Sequence, residues 1–197
     1  MAEQHRTSAV TRARAPRTRT RTARRIGGAG LAVFAVAGLG LAGAGAAQAA
    51  GSRTVPTCTT SGLSASFGQG LAGGMNHQGV VLKLKNISSH TCDLRGYPGL
   101  GLQDAGHHTL ASSVHWGSTW YTKGPAKQTL TLRSGQSAEA VIAWTHANTG
   151  TSDARHASYL VVTPPAATTH KTLKFPQWVD NGELDVTALA SHIGITG

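Results

Sequence analysis

The residues after position 49 predict an all-β fold, an antiparallel β-sandwich or barrel of roughly seven to nine short strands. Three observations support this prediction. Apolar and polar residues alternate with a period of two, which places one face of each strand in a core. Gly, Pro, Asn and Ser separate the apolar runs at short intervals. No run of helical length after residue 49 has a 3.6-residue period.

The strands can be followed in order along the chain. The alternating or β-rich runs lie at residues 80–84, 94–102, 129–132, 138–144, 159–162 and 173–175. The Pro-Pro pair after residue 163 ends the run before it, because proline cannot donate a ladder hydrogen bond. Asn181-Gly182 between two apolar runs is typical of a type I′ hairpin turn. Residues 186–193 fit either one helical turn or a closing strand.

The N-terminal region has the three parts of a signal peptide. Residues 1–25 hold eight Arg and one Glu, whereas residues 26–49 carry no charge. The small residues Ala47, Ala49 and Ala50 form an A-x-A cleavage site. A basic segment, an apolar segment and such a site together indicate that the rest of the chain is exported.

The chain is therefore predicted to consist of a signal-peptide helix at residues 1–49, a linker at 50–56 and one sandwich domain at 57–193. We expect a secreted, extracellular product that contacts the membrane only transiently, through the leader. An uncleaved N-terminal membrane anchor is the alternative, because about 20 apolar residues span a bilayer. The pair Arg24-Arg25 leaves the twin-arginine route open beside the general secretory route.

The leader carries most of the positive charge. The whole chain has a net charge of +10, of which the eight Arg and one Glu of the leader account for +7. The remaining ten basic and seven acidic residues give +3, and they are scattered rather than arranged in a stripe. A nucleic-acid-binding arm would also be basic, but the apolar run directly behind the Arg tract argues against it. Nucleic acid is not an expected partner.

Two cysteines, Cys58 and Cys92, lie in the chain after the leader. In an oxidising compartment an even pair most often forms a disulfide. In the chain-entropy model, closing this loop stabilises the fold by roughly 4 kcal/mol. A nucleophilic thiol or a metal pair is the alternative, and the C-x-x-C spacing that would favour it is missing.

Two blocks of the sequence resemble a known family. One reads N-x-S followed by C-x-L-x-G-Y-P-G, from Asn86 to Gly99, and the other is the Ser-Gly-Gln-Ser-Ala turn at 134–138. Together with Cys58 they resemble a secreted actinobacterial family known as domain of unknown function 4232, over roughly residues 57–186. The resemblance implies an immunoglobulin-like sandwich in an exported or lipoprotein-borne domain. It implies no catalytic residue, and the missing lipobox before Cys58 favours a freely secreted product.

Asn86-Ile87-Ser88 fits the acceptor pattern for N-glycosylation. The alternative is that Asn86 shapes the turn at the end of a strand through side-chain hydrogen bonds. The second interpretation is favoured in a chain of bacterial type.

Nine histidines lie after the leader, and imidazole is a common metal ligand. They are His77, His90, His107, His108, His115, His146, His156, His170 and His192. The adjacent His107 and His108 would point to opposite faces of an extended strand. Glu183 and Asp185 form the only close acidic pair, and a G-x-S-x-G nucleophile elbow is missing. We therefore expect neither a metal nor another cofactor and no catalytic residue.

The aromatic segment from His115 to Tyr121 contains the candidate ligand-binding residues. If it is extended, Trp116 and Trp120 share one face, while His115 and Tyr121 share the other. The indoles would then either fill the core or form an aromatic surface that binds a glycan or a partner protein. Exposure of the indoles would separate the two interpretations.

These observations together predict a secreted, non-enzymatic module that has a binding or structural role at the cell envelope or outside the cell. Its expected partner is a cell-wall glycan or an envelope protein. The alternative is a secreted metal-dependent enzyme or hydrolase that uses surface histidines.

The leader prediction can be tested by intact-mass spectrometry of the protein recovered from a secreting host. We expect a chain that begins near Ala50 and contains no free thiol, because cleavage occurs after the A-x-A site and the two cysteines are paired. A start at Met1, or two alkylatable thiols, would contradict the prediction.

Overall fold

The computed structural model describes residues 54–148 and 150–196, all of which lie in one compact unit, Ala50–Gly197. The described residues form eleven strands. They are β1 (Leu63–Ala72), β2 (His77–Asn86), β3 (Cys92–Arg95), β4 (Gly99–Gln103), β5 (Thr109–Leu110), β6 (Ser113–Trp116), β7 (Thr129–Leu132), β8 (Ser137–Thr145), β9 (Ala154–Thr163), β10 (Lys171–Asp180) and β11 (Glu183–Val186).

The strands form three sheets. The largest has the order β1-β2-β8-β11-β6, and the second has the order β10-β9-β4-β5. Strands β3 and β7 form a separate pair. Strand β11 runs parallel to β6, and the other named strand pairs are antiparallel.

The all-β sandwich prediction is confirmed, with two differences. The structure has more strands than the pattern indicated, because two- to four-residue strands such as β5 and β6 are too short to show an alternation. One strand pair is parallel, which no local pattern reveals. The predicted signal-peptide helix and the cleavage residues Ala47, Ala49 and Ala50 lie outside the described residues. In the part that is described, no helix is long and apolar enough to cross a membrane.

The main core is built from the inward-facing residues of the large and the four-stranded sheets. Leu82, Leu84 and Ile142 from the large sheet and Leu160 and Val162 from the other are fully buried. Their positions agree with the period-two alternation, because successive strand residues point to opposite faces. Burying such side chains contributes about 1.5–3 kcal/mol each before entropy is counted.

The outer face of the large sheet has its own smaller core. Val81, Val141 and Ala143 point outward and are nevertheless buried. They are covered by Tyr121 and by the C-terminal segment that contains Ile193. Residues 187–189 form neither a helical turn nor a strand, and Ala190 pairs with the backbone of Glu139 through an isolated bridge.

One end of the sandwich is fastened by the predicted disulfide and by Asn86. Cys58 and Cys92 are bonded and buried. The fully buried Asn86 amide donates to the carbonyls of His90 and Leu132, and its oxygen accepts from the Ser88 backbone N–H. Asn86 therefore shapes the turn after β2, as expected, and its amide nitrogen lies inside the protein.

The hairpin predicted at Asn181-Gly182 is wrong, although the turn geometry is right. Both residues have positive φ, 51° and 70°, as a type I′ turn requires. The strands on either side enter different sheets, because β10 pairs with β9 and β11 pairs with β8 and β6. The turn is therefore a two-residue crossover between the layers, and it brings Asp180 close to β11.

We predict that Asn86→Ala lowers the free energy of unfolding by about 1–3 kcal/mol, because it removes the side-chain donor from the buried Leu132 carbonyl and the side-chain acceptor from the part-buried Ser88 N–H. Urea unfolding would measure the change. The control is Asn148→Ala, which alters an exposed side chain. Equal midpoints for the two variants would contradict this role of Asn86.

Candidate functional site

The segment after β6 folds over the outer face of the large sheet and positions the aromatic residues. Tyr121 is only 5% exposed and lies directly on Gly79 of β2. A Cβ atom at Gly79 would be 2.6 Å from Tyr121 Cε2, so only glycine allows this contact. Burial raises the pKa of Tyr121, while the backbone of Gly73 beside the hydroxyl acts in the opposite direction. Tyr121 is therefore a packing residue that holds its neighbour Trp120 in place.

Trp120 lies on the surface and is 61% exposed. Its ring stacks on the ring of His77, with a centroid distance of 3.8 Å and an interplanar angle of 22°. The stacking covers one face of the indole and fixes its orientation. Of the two interpretations of this tryptophan, the aromatic surface agrees with its exposure and the core does not.

A cavity of about 400 Å³ lies on one side of Trp120. We call it the β1–β2 cavity, and its walls include Leu71, Met75, His77, Trp120, Tyr121 and Ile195. Met75 is 86% exposed and has a φ of 56°, in the left-handed region that long side chains rarely adopt. The turn between β1 and β2 thus holds an apolar side chain out in solvent at the mouth of an apolar cavity.

Trp120 also lines a smaller and more polar cavity of about 110 Å³. We call it the acidic cavity, and it is lined by His115, Trp120, Trp144, Thr145, Asp180, Glu183 and Asp185. Its position is determined by strand register, because Asp185 lies beside Ala143 on β8 and beside His115 on β6. The crossover turn then adds Asp180 from the end of β10.

The Asp185 carboxylate of the acidic cavity is placed at an electrostatic cost. Burial raises the pKa of Asp185, nearby Glu183 raises it further, and His115 lowers it. The ion pairs of the described residues lie elsewhere, at Lys83–Glu139, His108–Asp104 and His192–Glu139. The cavity therefore presents hydrogen-bond acceptors that these ion pairs do not engage.

Trp116 is also exposed, at 66%, but it belongs to a different surface. Its ring stacks on Tyr97 with a centroid distance of 5.5 Å and an interplanar angle of 7°. Strand β6 ends at Trp116, so the extended segment that would have placed Trp116 and Trp120 on one face is not present. His115 and Trp120 meet at the acidic cavity, whereas Trp116 does not line it.

The paired histidines do not form a metal site with His115. His107 stacks on Tyr159 of the four-stranded sheet, with ring centroids 4.1 Å apart. His108 Nδ1 lies 3.0 Å from Asp104 Oδ2, and the backbone N–H of His108 lowers the pKa of Asp104. Within residues 54–148 and 150–196, no three His, Cys, Asp or Glu side chains are grouped so that they could hold a metal ion.

The family model described as Domain of unknown function (DUF4232) matches residues 58–190, about two thirds of the chain. The chain belongs to this family. The DUF4232 match includes the disulfide, Trp120 and all three carboxylates of the acidic cavity, and it ends before Ile195. Comparison with curated proteins and with solved structures gives no match.

Sequence reasoning missed several residues of the candidate site. The sequence did not indicate that His77 and Met75 lie near Trp120, because their proximity depends on how the turn after β1 folds. Asp180 could have been found, since three of the seven acids after the leader lie within residues 180–185. Three acids within six residues stand out in a domain that holds only seven, and this clustering would have drawn attention to Asp180.

We predict that Asp185→Asn raises the melting temperature at pH 7. The folded-state pKa of Asp185 is above the unfolded value, so ionisation costs stability once the pH exceeds the unfolded pKa. The gain should shrink below about pH 4, where the carboxyl is protonated in both states. Calorimetry at several pH values would measure it, with the exposed Asp153→Asn as control. A lower melting temperature at pH 7 would contradict the prediction.

Proposed function

We propose that this chain is an exported, non-enzymatic binding module that holds a glycan at the cell envelope or outside the cell. The observation that carries the proposal is the exposed Trp120, which is stacked on His77 and lines two cavities. Export is supported by the leader pattern of residues 1–49 and by the disulfide, which is a feature of oxidising compartments.

The stacking geometry suits a sugar ring. His77 covers one face of the Trp120 indole, so the exposed part of the side chain includes the opposite face. An aromatic face held in this way loses little conformational entropy when a ligand packs on it. The apolar face of a pyranose ring is a suitable partner, because aromatic rings are apolar on their faces and exclude water from the contact.

The acidic cavity supplies the polar half of the site. Carboxylate oxygens accept hydrogen bonds only, and Thr145 and His115 add groups that can both donate and accept. The acidic cavity, at about 110 Å³, is much smaller than the β1–β2 cavity of about 400 Å³. That space admits a hydroxymethyl or ammonium substituent of a sugar rather than a whole ring, so the ring would remain on Trp120.

A glycan hydrolase is the second candidate. Asp185 has a raised pKa and lies beside Glu183 and His115 in a cavity, a combination that also occurs at acid–base centres. The two functions predict different outcomes for Asp185→Asn. In a hydrolase, this substitution would abolish the release of soluble sugar, whereas a binding module releases none at any time.

Pull-down on peptidoglycan and on purified polysaccharides would test the proposal. We expect wild-type protein to bind at least one of them and Trp120→Ala to bind about tenfold or more weakly, as for a central aromatic anchor. Trp116→Ala is the matched control, because it removes an equally exposed indole from a different surface.

Three outcomes would overturn the proposal. If the wild-type protein binds none of the glycans, a glycan is not its ligand. If Trp116→Ala and Trp120→Ala lose equal amounts of glycan binding, Trp120 is not the anchor. Release of soluble sugar by the wild type, but not by Asp185→Asn, would establish the hydrolase instead.

A further inference from the structure

The open side of the sandwich contains a further cavity, which borders the β1–β2 cavity at residues 70–72 and the acidic cavity at Trp144 but is not lined by Trp120. It has a volume of about 410 Å³ and lies between β1 and β10, the edge strands of the large and the four-stranded sheets. We call it the interlayer cleft. The two edge strands face each other here, and Phe67 of β1 lies near Phe175 of β10 with ring centroids 5.9 Å apart.

A bulge in each edge strand opens the cleft. On β1 the register with β2 shifts between Phe67 and Gly70, and on β10 the register with β9 shifts between Lys174 and Gln177. Each bulge inserts one extra residue and bends its strand. Pro176 lies in the second bulge, where its missing N–H breaks no ladder bond. Because the two bulges lie opposite each other on β1 and β10, the large sheet and the four-stranded sheet are separated at this point.

The cleft has aromatic walls and a buried polar group. Trp144 lines it, is only 4% exposed, and packs edge-on against Phe175 with ring centroids 4.8 Å apart. The Trp144 Nε1 atom is buried and has no hydrogen-bond partner among the described residues. An unpartnered buried indole N–H is costly, and Trp144 borders both this cleft and the acidic cavity, so an acceptor that reached its N–H from either cavity would remove that cost.

The charge of the cleft indicates the sign of the ligand. Lys174 is the only charged residue among those that line it, and its side chain is exposed at the rim. The amides of Gln78 and Gln177 add uncharged polar groups. A cavity of this size falls within the usual range for small-molecule sites, which combine mostly apolar walls with a few polar groups.

We propose that the interlayer cleft binds a small aromatic anion. Its ring would pack against Phe67, Phe175 and Trp144, and its carboxylate or sulfonate would lie at Lys174. Trp120, which anchors the proposed glycan, does not line this cleft, so the two proposals can be tested separately.

The probe is the aromatic sulfonate 8-anilinonaphthalene-1-sulfonate, titrated into the purified protein recovered from a secreting host. We expect saturable binding that Lys174→Glu weakens by about fivefold, since the substitution replaces an exposed attraction by a repulsion. Lys171→Glu is the matched control, because it makes the same charge change on the same strand outside the cleft. It should leave the affinity unchanged.

The position of the bound probe can be read from the indole N–H signals of the four tryptophans in proton–nitrogen correlation spectra. The Trp144 signal, assigned from Trp144→Phe, should shift on titration, while those of Trp116 and Trp120 stay in place. Assignment of the Trp116, Trp120 and Trp178 signals from their own variants leaves the Trp144 signal by elimination, so the test stays usable if Trp144→Phe does not fold.

Three results would overturn the proposal. They are the absence of saturable binding, an equal effect of the two lysine variants, and binding that Trp120→Ala abolishes. The last result would place the probe in the β1–β2 cavity instead.

Discussion

The register between β2 and β8 determines both faces of the large sheet, because these strands pair over nine residues at its centre. On the inner face the register aligns Val80 with Ile142 and buries both in the main core. On the outer face it places Val81 beside Val141 under the C-terminal segment. A slip of one residue would exchange the two faces. The bonds of Asn86 at one end of β2 resist such a slip.

The candidate site depends on the same register. Gly79 lies opposite Ala143, and this pair of small residues leaves room for the Tyr121 ring on the outer face. Ala143 in turn pairs with Asp185 on β11, so Gly79, Ala143 and Asp185 form one row across the sheet. Trp120 precedes Tyr121 directly and is held above this row by His77. The register between β2 and β8 therefore determines both the packing of the outer face and the geometry of the site.

Sequence reasoning could predict the parts of this structure that depend on local patterns. The alternation at 80–84 and 138–144 identified the two central strands, and the pairing of Cys58 with Cys92 was expected from their number and compartment. The parallel pairing of β11 with β6 joins segments that are distant in the chain, and the crossover at Asn181-Gly182 depends on the different strands with which β10 and β11 pair. The surroundings of Trp120 could not be predicted for the same reason, because they come from β2, β8, β10 and β11 together.

The burial of Asn86 also bears on how the protein is produced. Asn86-Ile87-Ser88 matches the pattern that eukaryotic oligosaccharyltransferase modifies, and that enzyme acts while the chain enters the endoplasmic reticulum. A glycan attached at that stage would occupy the amide nitrogen that donates to His90 and Leu132, inside a space with no room for a sugar. In a yeast or mammalian host, folding and glycosylation would therefore compete for one nitrogen atom, and only unmodified chains would reach the native structure.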